Sequence, residues 1–161
     1  MTPRDPALEL LRHCVATVAY RGGKALRGAP TGFAEFRAAP GSRAPLEILA
    51  HLGDLFDWAL HLAEGEHVWQ DSTPISWERE VERFFLRLQA FDARLASSRA
   101  LGFPAGRLFQ GPIADALTHI GQIAYLRRLA GAPVRGENYF RAEIEVGRVG
   151  DGQAAPVREF D

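Results

Sequence analysis

Cysteine is almost missing from this chain, and so is any surplus of charge. Cys14 is the only cysteine in 161 residues, so no internal disulfide can form and a reducing compartment is the simplest expectation. The opening MTPRDPALELLRH lacks the apolar stretch of a signal peptide. No apolar run approaches the ~20 residues that cross a bilayer, and a cytoplasmic chain with no membrane partner is expected. Lys and Arg total 19 against 20 Asp and Glu, a formal net charge of -1. Nothing therefore draws the chain as a whole to nucleic acid or to anionic lipid. Lys24 is the only lysine, and the arginines are scattered instead of forming a dense block.

What the sequence does contain is helical periodicity. A hydrophobic fraction of 47% with 24% charged residues marks a globular chain, and its length predicts one domain over residues 1–161, with a bundle at about 6–131 and a tail at about 132–161. Leu8, Leu11, Val15 and Val18 recur at helical spacing and predict a first helix from Pro6 to Arg21, ended by Gly22-Gly23. Cys14 falls beside them as a core residue, and His13 falls on the opposite, solvent side. The stretch 22–42 is rich in Gly and Pro yet carries Phe33 and Phe36, so it is expected to lie against the domain as a strap. A second helix is predicted from Ala44 to Glu64, apolar round most of its circumference and hence central. Ser76 should cap a third helix reaching Ser97. A fourth should run from Phe109 to Ala130, stopped by Gly131 and Pro133. In the tail, Ala142, Ile144 and Val146 alternate with Glu143 and Glu145, which predicts an extended segment.

Chemistry concentrates on two helices. His51 shares an angular sector with Ile48, Leu55, Trp58 and Leu62, so its imidazole is aimed at a neighbouring helix, where it needs a metal or a hydrogen-bond partner such as a backbone carbonyl. His61 falls with Asp54 and Asp57 on the polar side, and His67 in a loop. On the fourth helix Asp115 and His119 sit one turn apart, a spacing that serves a surface pair or two ligands to one cation. If His51 faces them, two imidazoles and a carboxylate suit zinc, iron, nickel or manganese. Gln122 lies one turn beyond His119, where it either orients a ligand or water or faces solvent.

LAHLGDLFDWAL, Leu49 to Leu60, followed by THIGQIAYLRR, Thr118 to Arg128, resembles the DinB/YfiT-like superfamily of putative metalloenzymes. The resemblance spans about Leu8 to Ala130. It implies an all-α four-helix bundle, with a long crossover placed here between helices 1 and 2, and a homodimer; the extended C-terminal tail has no motif in the family pattern. It also implies a divalent-metal site in which His51 matches the second-helix ligand and His119 the last histidine, while Asp115 replaces the remaining histidine of the family. Ile120-Gly121-Gln122 stands where the family has Arg-Gly-Gln.

Known relatives include enzymes that activate a low-molecular-weight thiol, which makes a thiol S-transferase the expected function. A metal-dependent hydrolase, and a non-catalytic stress-associated binding bundle with a degenerate metal site, are the alternatives. In the thiol-transfer scheme a small-molecule substrate would be shaped by Gln122 and by an arginine or the Asn138-Tyr139 region of the tail.

Overall fold

Asp5 opens the first helix by accepting the Ala7 N–H at 2.9 Å, and Pro6 follows at its first position. The computed structural model describes residues 5–97 and 99–161. Helix α1 (Pro6–Leu26) runs through Gly22-Gly23, where the sequence predicted its end. Both glycines are buried. A Cβ on Gly22 would stand 2.8 Å from Phe84 Cζ and 3.4 Å from Ile120 Cδ1, so this glycine is a crossing point that lets neighbouring helices approach. The chain turns instead at Gly28, with φ 67. Cys14 is half-buried against the core, and burial raises its thiol pKa.

Helix α2 (Pro45–Ala63) starts where expected, with the Glu47 carboxylate accepting the Ala44 N–H at 2.6 Å. Helix α3 (Trp77–Ala96) is capped by Ser76, whose hydroxyl accepts from Arg79 N at 3.3 Å. The fourth rod begins earlier than predicted. It comprises α4 (Ala105–Leu108), a π-helical turn (Phe109–Ile113) and α5 (Ala114–Leu129). Pro112 has no N–H for the helical ladder, and its ring crowds the carbonyl four residues back; the wider turn accommodates both defects. Gly131 ends the rod with φ 78.

Residue pairs give the helix directions. Arg12 meets Asp92 at 2.8 Å and Gly22 meets Phe84, so α1 and α3 are antiparallel. Asp54, Asp57 and Glu64 meet Arg83, Arg87 and Arg94 in ascending order, so α2 and α3 are parallel. Gly22 lies by Ile120, while Arg127 donates to the Ala25 and Arg27 carbonyls at 3.1 and 2.7 Å; α1 and α5 are parallel. The helices therefore form a bundle with two directions of travel, and α2 to α3 is the connection that must run its length. Residues 64–76 do so.

This corrects the predicted crossover between helices 1 and 2. Residues 27–44 stay at one end, with Phe33 buried and edge-on to Trp77 at 5.5 Å. The apolar strap is present, but its length in sequence is spent capping that end. Asp54 also departs from expectation: it is buried, held by Arg83 and by the Ser72 N–H at 3.1 Å, whereas His61 is exposed and pairs with Glu66. Gly53 makes room for the guanidinium, since a Cβ there would stand 2.6 Å from Arg83 Nη1.

The tail returns to α1. Strands β1 (Gly136–Glu137) and β2 (Glu159–Phe160) pair antiparallel, and the buried Glu137 accepts from Tyr20 Oη at 2.6 Å and Lys24 Nζ at 2.7 Å. The predicted strand pattern at Ala142, Ile144 and Val146 forms no ladder. Ala142 and Ile144 are half-buried, Val146 is exposed, and the buried valine is Val149. Among the described residues no helix is long and apolar enough to cross a membrane.

Two contrasts test this packing. Alanine at Gly22 should cost about 1–3 kcal/mol through overlap with Phe84. At Gly121, an exposed helical site with nothing within 4 Å of a built Cβ, the same change should stabilise by up to about 1 kcal/mol; urea unfolding of both variants compares them.

Titration of the tail clasp gives a second check. Burial and then the Glu137 hydrogen bond raise the Tyr20 pKa, while for Lys24 burial lowers it but hydrogen bonds to Glu137 and Glu159 win, so it too is raised. Groups raised on folding contribute stability that is fully present below their unfolded pKa and is lost as pH rises. Unfolding midpoints should therefore fall above about pH 10, and less steeply in Tyr20→Phe.

Candidate metal centre

The antiparallel contact of α2 with α5 brings the sequence-predicted ligands together. His51 projects from α2 and Asp115 and His119 from successive turns of α5, and one ligand atom from each lies within 4.8 Å of the others. His51 Nε2 is 3.5 Å from Asp115 Oδ2, while His119 Nδ1 is 3.3 Å from Asp115 Oδ1. The two imidazole centroids are 4.6 Å apart. Ligands at about 2.0–2.2 Å from an ion stand roughly 3–4 Å from one another, so an ion fits with a small closure of these side chains.

The π turn sets this register. It adds a residue to the rod just before Asp115, and one residue rotates everything downstream by about 100°. The two histidine side chains are 19% and 12% exposed and the Asp115 carboxylate 45%. The imidazoles therefore form a sheltered base and the carboxylate faces the open side.

Hydrogen bonding prepares the imidazoles as ligands. The Asp115 backbone carbonyl lies 2.9 Å from His119 Nδ1 and can only accept, so the proton belongs on Nδ1 and the Nε2 lone pair is left for a cation. Burial, then the neighbouring His119, lowers the His51 pKa against the opposing pull of Asp115. His51 is therefore neutral at neutral pH, as a metal ligand must be. The backbone-carbonyl alternative for His51 is not what the fold adopts: its polar partner is Asp115. Two imidazoles and one carboxylate, with the outer side open, make a set that could hold a divalent ion.

The crossover 64–76 roofs this site. Trp69 lies 5.4 Å from His51 and edge-on to Trp58 at 5.8 Å, while His67 stacks on Trp58 at 5.6 Å. The Trp58 indole N–H is enclosed with no acceptor among the described residues, so packing alone holds the ring. Trp58 was visible from its sector beside His51. Trp69 was not, because nothing in a polar loop tells which helix it crosses.

Three sequence-predicted pocket residues lie elsewhere. Gln122 is exposed, turned about 60° from His119 by the helical repeat. Asn138 accepts the Phe140 N–H at 3.2 Å, and Tyr139 packs on Tyr20 with Arg21 4.1 Å from its ring centre. No hydrogen bond, ion pair or ring contact joins any of them to the trio.

Comparisons of the chain with protein-family models, curated proteins and solved structures find no match. The chemistry is therefore argued from the geometry itself.

Removing a ligand should be plain in metal content. Wild-type protein dialysed against zinc should retain one equivalent, measured by elemental analysis. His51→Ala and His119→Ala should each weaken retention by more than the roughly 10–100-fold that loss of a supporting group costs. Gln122→Ala should match wild type.

Proposed function

We propose that this protein is a divalent-metal-dependent enzyme of the DinB type, joining the sulfur of a low-molecular-weight thiol to an electrophilic carbon, with the thiol proton lost to solvent and the carbon's leaving group expelled. The observation that carries the reading is the convergence of His51, Asp115 and His119 from helices far apart in sequence. The substitution of Asp115 for a family histidine leaves a hard oxygen ligand at the open side, which suits zinc, nickel, iron or manganese. When bound, such an ion lowers the pKa of a coordinated thiol or water and polarises an electrophile.

The chain's own groups have separate tasks. His119, anchored through Nδ1 to the Asp115 carbonyl, keeps its ring orientation fixed. His51 is held between the α5 ligands and Trp69, which limits water on that side. Asp115 touches both histidines through different oxygens, so its carboxylate sets their spacing and offers the anionic donor.

The deciding assay supplies zinc-, nickel- or manganese-loaded protein with an activated aryl halide and a panel of small thiols. The expected outcome is consumption of the halide that requires both metal and thiol and vanishes in His51→Ala. Turnover of ester substrates with metal but without thiol would establish the hydrolase instead. Failure of wild-type protein to retain metal would leave a non-catalytic binding bundle.

A further inference from the structure

Asp115, the most exposed member of the trio, borders a trough along the fourth rod. Two adjoining cavities of about 410 and 530 Å³ share Trp58, Gln110 and Gly111 in their walls; one reaches Asp115 and the other Arg107. Their combined scale is that of a small-molecule site. Gly111 lies against the Trp58 ring, where a built Cβ would be 3.4 Å from Cη2. The bare backbone of the π turn thus keeps the passage between the cavities clear, and any larger residue would begin to fill it. Leu62 and Phe103 make the far wall apolar.

Charge distinguishes the two ends. The arginines of α3 are committed, as is Arg99 just beyond it: Arg79, Arg83, Arg87, Arg94 and Arg99 all hold carboxylates. Arg107 is exposed, and among the described residues its guanidinium makes no hydrogen bond or ion pair. It stands at the opposite end of the trough from Asp115, and the rise from residue 107 to residue 115 is roughly 12 Å at 1.5 Å per residue. A planar fork of donors at that place matches a carboxylate better than any neutral group.

We infer that the trough selects a small organic acid, whose apolar body lies against Trp58 and whose carboxylate is received by Arg107 while its other end reaches the trio at Asp115. This assigns a substrate class to the proposed metalloenzyme and rests on that reading for its reactive end. The recognition step belongs to Arg107, Trp58 and Gly111, which lie outside the ligand set. Arg107 is a specificity residue in this scheme and has no part in metal binding.

The test measures binding of phenylhexanoate and of its neutral counterpart phenylhexanol by calorimetry, using zinc-loaded wild type, Arg107→Ala and Arg107→Lys, with zinc content determined on each sample. The acid should bind wild type at least about tenfold more tightly than the alcohol, as a charge-assisted contact requires. That preference should vanish in Arg107→Ala and survive in part in Arg107→Lys, with zinc content and alcohol binding unchanged. Equal binding of acid and alcohol to wild type, or an undiminished preference in Arg107→Ala, overturns the inference. Failure of the metalloenzyme reading would register separately, as a wild type that retains no more zinc than His51→Ala.

Discussion

The Arg83 guanidinium fixes how this bundle is wound. It bridges Asp54 and Asp57 on α2 and Glu80 on its own helix, reaches the Ala50 carbonyl, and fits only because Gly53 has no side chain. A charge so enclosed must be matched on several sides, because leaving it uncompensated costs several kcal/mol. Arg83, Arg87 and Arg94 find Asp54, Asp57 and Glu64 in ascending order, which requires α2 and α3 side by side and pointing the same way. Parallel neighbours cannot be joined by a short turn, so residues 64–76 travel back along α2, and that path lays Trp69 over His51.

The candidate metal centre is thus a product of winding as much as of side-chain choice. Helix α2 presents ionic groups to α3 and an imidazole to α5, within a few residues of each other. Buried apolar residues, Leu49, Leu52, Leu55 and Phe56 among them, fill the rest of the helix circumference and make the core face. On α5 the division is finer: His119 uses one nitrogen for the backbone and leaves the other available, a choice set by the carbonyl one turn earlier.

The helices were largely legible in the sequence because their signals are local. Ser76 caps α3 by its own hydroxyl, Gly131 closes the last rod in the left-handed region, and the sector of His51 follows from spacing alone. What failed to read through was whatever depends on a partner. Gly22 has the same letter whether it ends a helix or lets Phe84 approach, and only the crossing decides. Periodicity carries no sense of direction, so the parallel pair α2 and α3, and with it the true crossover, had no signature. Asp54 looked solvated because the arginine that covers it lies 29 positions away. Gln122, about 60° round the helix from His119, takes the second of its two readings and faces solvent.

The π turn has a consequence for how such a centre can arise. Its extra residue is an insertion in the winding of one rod, placed upstream of both α5 ligands and away from α2. Deleting Pro112 would restore ordinary winding and carry Asp115 and His119 off the imidazole of His51 together, with every ligand codon intact. The meeting of the three side chains is therefore set by the length of one rod as well as by their identity, and the buried face of α5, with Ala116, Ile120 and Ile123, is held in place by the same extra residue.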